Sequence, residues 1–560
     1  MKMILVYASF LFFLVNSPQA QAVDITASPY YADKTGVINC TAIISSALAA
    51  ADDVYFPNGT YRLDGTVTVP NGKTLRGESK YYTFIKVRNR TAFIAGNTDT
   101  IKNFQFVQDG DLGCGDGVVR VIGKSNVTVS NCFFDIVWKQ GLGVFADGAT
   151  QLAVRNCNSS GYQTAGLLRA YGLVDSTISD NVVYGWRSLL IHGMKGCTIV
   201  NNTFGGYNDA NPGITGICIL SQLADNTPEE NSVINNIISN NIVQNVSEEG
   251  ISFDCNGGSI AQRPQHPGKP LVKFYEKQTS SKITVDEYNG NWISSGWPDN
   301  WANNYYLVVL TGTEKGTYAK IIDSGGGATR GWVQFADTCS WIDSLSTADI
   351  LMITTGFFDN TIAKNTVIDT GRAGITFHGA CWDNAIQNNH VQKSGNGGIS
   401  WYGAWGGIQA LSVLCGTTSE VDTNPTVSFS GFNSIINNTI GTHTSSSLYT
   451  NAWAAVRVDT AIGAGKDLAF MSGFVPQTAQ YNPGNFVRGN VISNQTQVVV
   501  DKSYASDVTA NTTPYYSGAK ITIQDSDYST VTNNYKGTFL MTTGAGDIVN
   551  AGGNEGLIAD

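Results

Sequence analysis

The segments NVTVSN (126–131), TQLAVRN (150–156), DSTISDN (175–181) and GCTIVNN (196–202) decide the fold of this chain, because they repeat one pattern. In each segment apolar residues alternate with polar ones, and an asparagine closes the segment. The closing asparagines lie at positions 131, 156, 181 and 202, which gives steps of 25, 25 and 21 residues. The pattern recurs further along the chain in NNIISNN (235–241), DNTIAKN (359–365), DNAIQNN (383–389) and NFVRGN (485–490).

An alternation of period two is typical of β-strands, and the Gly and Asn residues between the segments are typical of turns. A repeat of about 20–25 residues fits one coil of three short strands and three turns, and stacked coils bury a continuous core. The sequence therefore predicts an all-β fold, a right-handed parallel β-helix. We expect its asparagines to form an amide ladder along one corner, where Cys132 and Cys157 stack as small buried residues. A β-sandwich is the alternative, but it predicts no fixed repeat of a corner residue.

Two stretches depart from the repeat. CTAIISSALAAA (40–51) is strongly helical and precedes the first coils, so we expect an amphipathic helix that caps the core. Between Cys255 and Phe358 the asparagine repeat stops and longer alternating strands follow, which indicates a small inserted antiparallel β-module. The expected divisions are an export signal at 1–22, the cap and first coils at 23–79, β-helix at 80–262 and 358–500, the module at 263–357 and a β-rich closing segment at 501–560.

The composition narrows the classes of function. Of the 560 residues only 14% are charged while 11% are aromatic, which excludes a disordered chain. A formal charge of −10 argues against a nucleic-acid partner, since such proteins carry a basic surface. Lys2, the apolar run from Ile4 to Val15 and the small residues around Ala20 and Ala22 predict a cleaved export signal that is too short to span a membrane. The mature protein is therefore expected to be secreted, with no membrane partner.

Metal and cofactor sites are not indicated. The ten cysteines include no CxxC pair of the kind that holds zinc. Asp109, Asp111 and Asp116 surround a Gly-rich turn but lack the spacing of an EF-hand loop, so a structural calcium ion has no support. We expect no cofactor.

A second column of residues follows the asparagines. Three coils align on a shared Gly and Ile: SEEGISFDCNGG (247–258), TGRAGITFHGACWD (370–383) and SGNGGISWYGAWGG (394–407). Alternation sends the isoleucine and the aromatic residue two positions later inward, and the residues between and after them outward. Neighbouring coils lie about 4.8 Å apart, so outward residues of successive coils become neighbours. The predicted outward column is His192, Asp254, His378 and Tyr402, beside a parallel column of Glu248 and Arg372.

Paired carboxylates point to glycoside hydrolysis, which needs one acid to protonate the leaving oxygen and a second carboxylate to attack or to activate water. We interpret Asp254 as the proton donor, Glu248 or Glu249 as the second carboxylate and His378 as a residue that tunes them. A straight strand would hold Glu248 and Asp254 about 20 Å apart, which is too far. The interpretation therefore requires a bend at Gly250, or a partner from another coil or from the module.

Two other functions stay open. Arg372 and His378 would suit β-elimination on a uronate polymer, with the arginine neutralising the carboxylate and the histidine acting as base. A non-catalytic carbohydrate-binding or adhesion protein would keep the aromatic residues alone. Trp382 and Trp405 lie in Gly-rich stretches and, with Tyr402, offer aromatic faces for sugar stacking. Each residue also has a structural alternative: a solvated carboxylate, an exposed ion pair or a packing aromatic.

The helix, followed by YFPNGTYRL (55–63) and TVTVPNGKTLRGES (66–79), resembles the opening of the pectate-lyase-like superfamily of right-handed β-helix proteins. In style the chain is closest to tailspike-like exopolysaccharide-degrading enzymes. Hydrolases, lyases, epimerases and binders share this scaffold, so the resemblance implies the fold, a polysaccharide ligand and, by analogy with tailspikes, a homotrimer. We predict a secreted, endo-acting glycoside hydrolase whose sugar-binding residues are His192, Arg372, Trp382, Tyr402 and Trp405.

Overall fold

A computed structural model shows the architecture of the chain. Its described residues are 22–109, 116–136, 141–160, 166–206, 213–221, 232–254, 271–287, 297, 299–327, 329–354, 356–371, 373–378, 381–394, 408–415, 426–427, 430–441, 454–461, 482–483, 486–492, 497–501, 503–504, 507–509, 511, 520–526, 530–532, 534, 538–543, 549–550 and 557–559. The predicted export signal lies outside them. In this part of the chain no helix is long and apolar enough to cross a membrane.

Three long sheets run along the molecule, and we call them faces 1, 2 and 3. Face 1 contains Val23–Asp24, Asp53–Phe56, Thr74–Gly77, Thr100–Lys102, Thr128–Ser130, Ala153–Arg155, Thr177–Ser179, Thr198–Val200, Ile237–Ser239, Thr361–Ala363, Ala385–Gln387, Ser434–Ile436, Phe486–Arg488, Asp507–Thr509, Thr530–Thr532 and Val549–Asn550. Face 2 contains Thr35–Asn39, Gly59–Leu63, Thr83–Val87, Gln105–Gln108, Phe133–Asp135, Asn158–Ser160, Val182–Tyr184, Thr203–Gly205, Ile242–Val246, Thr366–Thr370, His390–Ser394, Thr439–Ile440 and Val491–Ile492.

Face 3 is the third sheet of the coils. It contains Val67–Thr68, Phe93–Ile94, Val119–Ile122, Leu142–Asp147, Gly166–Val174, Arg187–Lys195, Thr215–Leu220, Val233–Ile234, Ile251–Asp254, Phe357–Phe358, Ile375–His378, Cys381–Trp382, Ile408–Cys415, Thr426–Val427, Ser430–Gly431, Ala454–Ala461, Gln497–Asp501, Lys520–Ser526, Thr538–Thr543 and Leu557–Ala559. Asn482–Pro483 and Ser503–Tyr504 form a separate two-stranded pair.

Each strand of faces 1 and 2 pairs in parallel with its equivalent in the next coil, as a β-helix requires. On face 1, for example, Ile199 is in register with Ile238, and Ile238 with Ile362, although 124 residues separate the last two. These side chains belong to one buried apolar cluster that runs from Ile25 to Val487. The chain is therefore a parallel β-helix, and the predicted fold class is confirmed.

The predicted helical cap is also confirmed. The helix Thr41–Ala50 buries Ile44, Ala47 and Leu48 against the first coils. Asn39 supports its start, because the side-chain Oδ1 accepts hydrogen bonds from the amide and the hydroxyl of Thr41 at 3.0 and 2.7 Å. Such bonds satisfy donors that the first helical turn leaves free.

Two amide ladders, rather than one, line the corners on either side of face 1. In each ladder an asparagine Oδ1 accepts from the backbone amide and the Nδ2 of its counterpart one coil earlier, as Asn365 does from Asn241 at 3.0 Å in both cases. The ladder between faces 1 and 2 comprises Asn181, Asn202, Asn241, Asn365, Asn389, Asn438, Asn490, Asn511 and Asn534. The ladder between faces 3 and 1 comprises Asn236, Asn360, Asn384 and Asn433.

The predicted register of the first two coils is wrong by one residue. Cys157, not Asn156, precedes Asn181 in the ladder, because its amide donates to Asn181 Oδ1 at 2.8 Å. The true steps from Cys132 to Cys157 and Asn181 are therefore 25 and 24 residues. Both cysteines are buried and unpaired, as predicted. Asn156 instead takes the turn position before the ladder, with a φ of 53° that asparagine tolerates better than most residues.

The inserted module is a closed, six-stranded antiparallel barrel, which confirms the prediction of such a module. Its strands are Leu271–Thr279, Lys282–Glu287, Tyr306–Val309, Tyr318–Gly326, Gly331–Phe335 and Ile350–Thr354, and a short 3₁₀ helix spans Ser340–Ser344. The barrel has its own apolar core, which includes Trp301, Leu307 and Ile353. It therefore buries its own core instead of extending that of the β-helix.

Candidate functional site

The connections between strands show where a groove can form. Faces 1 and 2 are joined by turns of two residues, as between Ser179 and Val182. Around the middle of face 3 the connections are far longer: nine residues precede Thr215, twelve follow Leu220, and 102 follow Asp254 before the chain returns at Phe357. Long loops on a rigid scaffold commonly carry binding and catalytic residues. The middle of face 3 is therefore the best candidate for a binding surface.

Face 3 divides at this point. The long strand Arg187–Lys195 pairs with Thr215–Leu220 through its first half and with Val233–Ile234 through its end. In later coils the two halves continue as separate short strands, such as Ile251–Asp254 and Phe357–Phe358. The module is inserted at this division, directly after Asp254. We call the outward-facing side of these first-half strands the groove.

Register places Asp254 beside His378, as predicted from the sequence. Asp254 pairs with His378 in the next coil and, through Leu220, shares its column with His192. The preceding residues of the two strands, Phe253 and Phe377, stack inside the core with ring centroids 4.2 Å apart. The side chains of Asp254 and His378 lie outside the described part of the structure, so their catalytic roles remain predictions.

Tyr402 was assigned to the wrong register. The residue that pairs with His378 in the next coil is Leu411, in the strand Ile408–Cys415. The predicted alignment used Ile399 as the counterpart of Ile375, whereas the structure uses Ile408, nine residues later. Alternation alone could not separate these two isoleucines. Tyr402 itself, like the predicted sugar-binding residues Arg372 and Trp405, lies outside the described residues.

Glu248 and Glu249 lie where the chain turns from face 2 to face 3, between strands that end at Val246 and begin at Ile251. The straight-strand separation from Asp254 therefore does not apply, because a corner intervenes. Gly250 packs closely against the next coil at this corner, because an added Cβ would lie 2.7 Å from the carbonyl oxygen of Gly374. Glu249 is buried, with 6% of its surface exposed, and Glu248 is half-buried.

Trp382 is not a sugar-stacking residue. The prediction placed it on an exposed Gly-rich turn, but it lies in the strand Cys381–Trp382 and is fully buried. Its strand pairs with Phe357–Phe358, and the ring of Phe432 packs 6.3 Å from its own. Tyr306 of the module stacks on Phe358 at 4.7 Å. These aromatic residues fix the module on the β-helix, which is a structural role.

His192 lies in the predicted column but is more enclosed than a surface residue, with 8% of its surface exposed. Its ring stacks on Tyr171 of the preceding coil with centroids 4.5 Å apart, and Tyr171 in turn lies 5.9 Å from Phe145. Burial, together with the positive charges of Arg169 and Arg187, lowers the pKa of His192 to about 4. The imidazole is therefore neutral at physiological pH.

The sequence interpretation missed this aromatic strip. Phe145 and Tyr171 point outward from the strands Leu142–Asp147 and Gly166–Val174, two coils and one coil before His192. The signal was present, since Val144 and Ala146 are inward-facing core residues on either side of Phe145. Applying the same alternation to the earlier coils would have found the strip.

Comparison with known proteins gives matches in structure only. No family model matches the chain, and no curated protein matches it in sequence. The Dettilon tailspike protein matches with a TM-score of 0.45 and 12% identity, over 84% of this chain and 66% of the tailspike. A GH87 alpha-1,3-glucanase from Streptomyces thermodiastaticus matches with a TM-score of 0.42 and 13% identity, over 96% of this chain and 69% of the glucanase. The Azotobacter vinelandii mannuronan C-5 epimerase AlgE6 A-module matches with a TM-score of 0.41 and 13% identity, over 90% of this chain and 97% of the A-module.

Proposed function

We propose that the protein is a secreted, endo-acting glycoside hydrolase that cleaves an extracellular polysaccharide bound along the groove. The observation that carries the proposal is the lateral pairing of Asp254 with His378, next to the point where the 102-residue connection to Phe357 leaves the strand that ends at Asp254. A linear polymer fits such a surface, because the groove runs across successive coils and repeats its geometry at about 4.8 Å.

In the proposed reaction Asp254 protonates the oxygen of the leaving sugar. Glu248 or Glu249 acts as the second carboxylate, and attacks the anomeric carbon or activates a water molecule. The turn between Val246 and Ile251 supports this pairing, since it brings the carboxylates nearer to each other than one straight strand would. His378 would hold Asp254 in position, while His192, Arg372 and Trp405 would bind sugar.

Product mass tests the proposal. The protein is incubated with a panel of bacterial and plant polysaccharides, and the molecular masses of the products are determined by mass spectrometry. Hydrolysis adds one water per cleaved bond, elimination adds none and leaves an unsaturated uronate, and a binding protein leaves the polymer intact. Only the first result supports the proposal, and either of the others would overturn it.

Amide variants test the assigned residues. Asp254→Asn and Glu249→Gln should each lower the rate of cleavage at least about a hundredfold while binding is retained, because general acid–base catalysis contributes about 10²–10⁴-fold to the rate. Asp135→Asn is the matched control, since this aspartate ends a strand of face 2, away from the groove. Unchanged cleavage by Asp254→Asn would remove Asp254 from the mechanism. The homotrimer proposed by analogy with tailspikes is tested by the sedimentation of the purified protein.

A further inference from the structure

A group of arginines without carboxylate partners lies on face 3, upstream of Asp254. Within the described residues, Arg120, Arg169 and Arg187 form no ion pair, whereas five other arginines each contact an aspartate: Arg62, Arg76, Arg88, Arg90 and Arg330. This is notable in a chain with a formal charge of −10. Within the described residues, these three guanidinium groups are therefore available to another anion.

Two of these arginines lie along the aromatic strip. Arg120, Phe145 and Arg169 follow one another in register on successive coils. The guanidinium of Arg120 lies 5.5 Å from the ring centroid of Phe145, and that of Arg169 lies 5.5 Å from the ring of Tyr171. Arg169 also donates a hydrogen bond to the Tyr171 hydroxyl at 2.5 Å. The rings hold the guanidinium groups in place by cation–π contact.

His192 supplies an independent observation. It is more than nine-tenths buried and stacks on Tyr171, yet neither of its ring nitrogens has a hydrogen-bond partner in the described structure. The Nε of Arg120 is buried without a partner in the same way. Buried polar groups are almost always hydrogen-bonded, and an exception calls for an explanation such as a bound water molecule or ion.

We propose that Arg120, Phe145, Arg169, Tyr171 and His192 form a subsite for an anionic sugar residue of the polysaccharide. The two guanidinium groups bind its carboxylate or sulfate, the aromatic rings support the face of the sugar, and His192 hydrogen-bonds to a hydroxyl group. Arginine suits this task, because its planar fork of donors binds carboxylates and sulfate-like oxyanions through paired hydrogen bonds. A neutral imidazole offers one donor and one acceptor, which matches a hydroxyl group.

The position of this anion subsite gives it a role in specificity. Tyr171 is three coils from Asp254 along the column, through His192 and Leu220, which corresponds to about 14 Å at 4.8 Å per coil. A polymer bound here places its charged residue at a fixed distance from the proposed cleavage point. The inference rests on the proposed function only in taking the ligand to be the polysaccharide of the groove.

Binding measurements test the anion subsite. The probes are polygalacturonate and alginate, which carry carboxylates, and carrageenan, which carries sulfate, each beside its carboxyl-reduced or desulfated counterpart. The full chain carries Asp254→Asn to prevent cleavage, and affinity is measured by calorimetry at low and high salt. We compare Arg169→Ala and Arg120→Ala with Arg155→Ala, the matched control. Like Arg169, Arg155 is exposed and has no ion pair among the described residues, but it lies on face 1.

We expect at least one acidic polymer to bind more tightly than its neutral counterpart, with an affinity that falls as salt rises. Arg169→Ala and Arg120→Ala should each weaken that binding about tenfold or more, since hydrogen bonds to charged groups contribute about 1.5–3 kcal/mol. Arg155→Ala should leave it unchanged. The carboxylate and sulfate probes then show which anion fits.

The inference is overturned if no acidic polymer is preferred over its neutral counterpart, or if Arg155→Ala weakens binding as much as Arg169→Ala. These outcomes are separable from the failure of the proposed function. An acidic polymer that binds through Arg169 but is never cleaved would overturn the hydrolase and leave the subsite in place. A neutral polymer that the Arg169→Ala variant cleaves as well as the natural protein does would overturn the subsite and leave the hydrolase in place.

Discussion

Replacing Asn365 by alanine should destabilise the β-helix strongly, because this side chain makes four buried hydrogen bonds. Its Nδ2 donates to the carbonyl of Ile238 at 2.9 Å and to Oδ1 of Asn389 at 3.0 Å. Its Oδ1 accepts from the backbone amide and the Nδ2 of Asn241, both at 3.0 Å. The alanine variant removes all four bonds at a position with no solvent exposure.

The loss in free energy of unfolding depends on which of the neighbouring polar groups keep a hydrogen-bond partner. Asn389 Oδ1 still accepts from the backbone amide of residue 365, so it keeps a partner. The amide of Asn241 loses its partner, which costs about 1–3 kcal/mol for a buried donor. The carbonyl of Ile238 and the Nδ2 of Asn241 each lose one bond, at about 1 kcal/mol apiece. Asn365→Ala should therefore lower the free energy of unfolding by about 3–5 kcal/mol.

Urea denaturation followed by circular dichroism measures the loss, and hydrogen exchange at the Asn241 amide shows whether it is local. Asn388→Gly is the matched control: Asn388 is exposed with a φ of 55°, and Gly489 occupies the equivalent position two coils later. It should change stability by less than about 0.5 kcal/mol. A loss below about 1 kcal/mol for Asn365→Ala, or equal losses for both variants, would refute the ladder as a source of stability.

Three further predictions concern the module and two titrating groups. Gly316→Ala should loosen the module and speed its proteolytic release, because φ is 93° and the new Cβ would overlap the ring of Phe432; Gly327→Ala, with open space around it, should not. The imidazole of His192 should remain neutral down to about pH 4 in NMR titration, and a midpoint near 6.5 would contradict its burial. Burial and the charge of a neighbouring aspartate raise the pKa of Asp383 to about 6, so folding stability falls as pH rises from about 4 to 6. Asp383→Asn should be more stable than the natural protein above pH 6, by less than about 1 kcal/mol because the residue is partly exposed, and no more stable at pH 4.

The fold could be predicted because equivalent positions of the stacked coils in a solenoid recur in the sequence at a regular spacing. The closing asparagines and the period-two alternation are both consequences of stacking equivalent coils, so they identify the β-helix without further information. The register was wrong at Asn131 and Asn156, because the first coils place cysteine where later coils place asparagine. A small buried thiol and a buried amide can occupy the same corner, and the alignment was based on asparagine because it is the more frequent residue there. The second ladder also left a signal, since Asn236 and Asn360 each lie five residues before a ladder asparagine of the other corner.

The site was less predictable, because it depends on where loops end. Register through regular strands gave the pairing of Asp254 with His378 correctly. Tyr402 was misplaced because the Gly-rich stretch before Ile408 offers an earlier isoleucine at an equally suitable position. Trp382 was misjudged for a different reason: its neighbours in sequence indicate a turn, but it lies in a strand beside Phe358 and packs against Phe432. Tertiary contacts of this kind leave no local trace.

The first and last strands of the barrel are hydrogen-bonded to each other, with Leu271 opposite Met352. Asp254 and Phe357, which flank the insert, are in register with His192 and Met194 of one earlier strand, so the insert leaves and rejoins the β-helix at neighbouring positions. A solenoid built in this way can exchange one appended body for another, or for a short hairpin, while the stacked frame beneath keeps its dimensions.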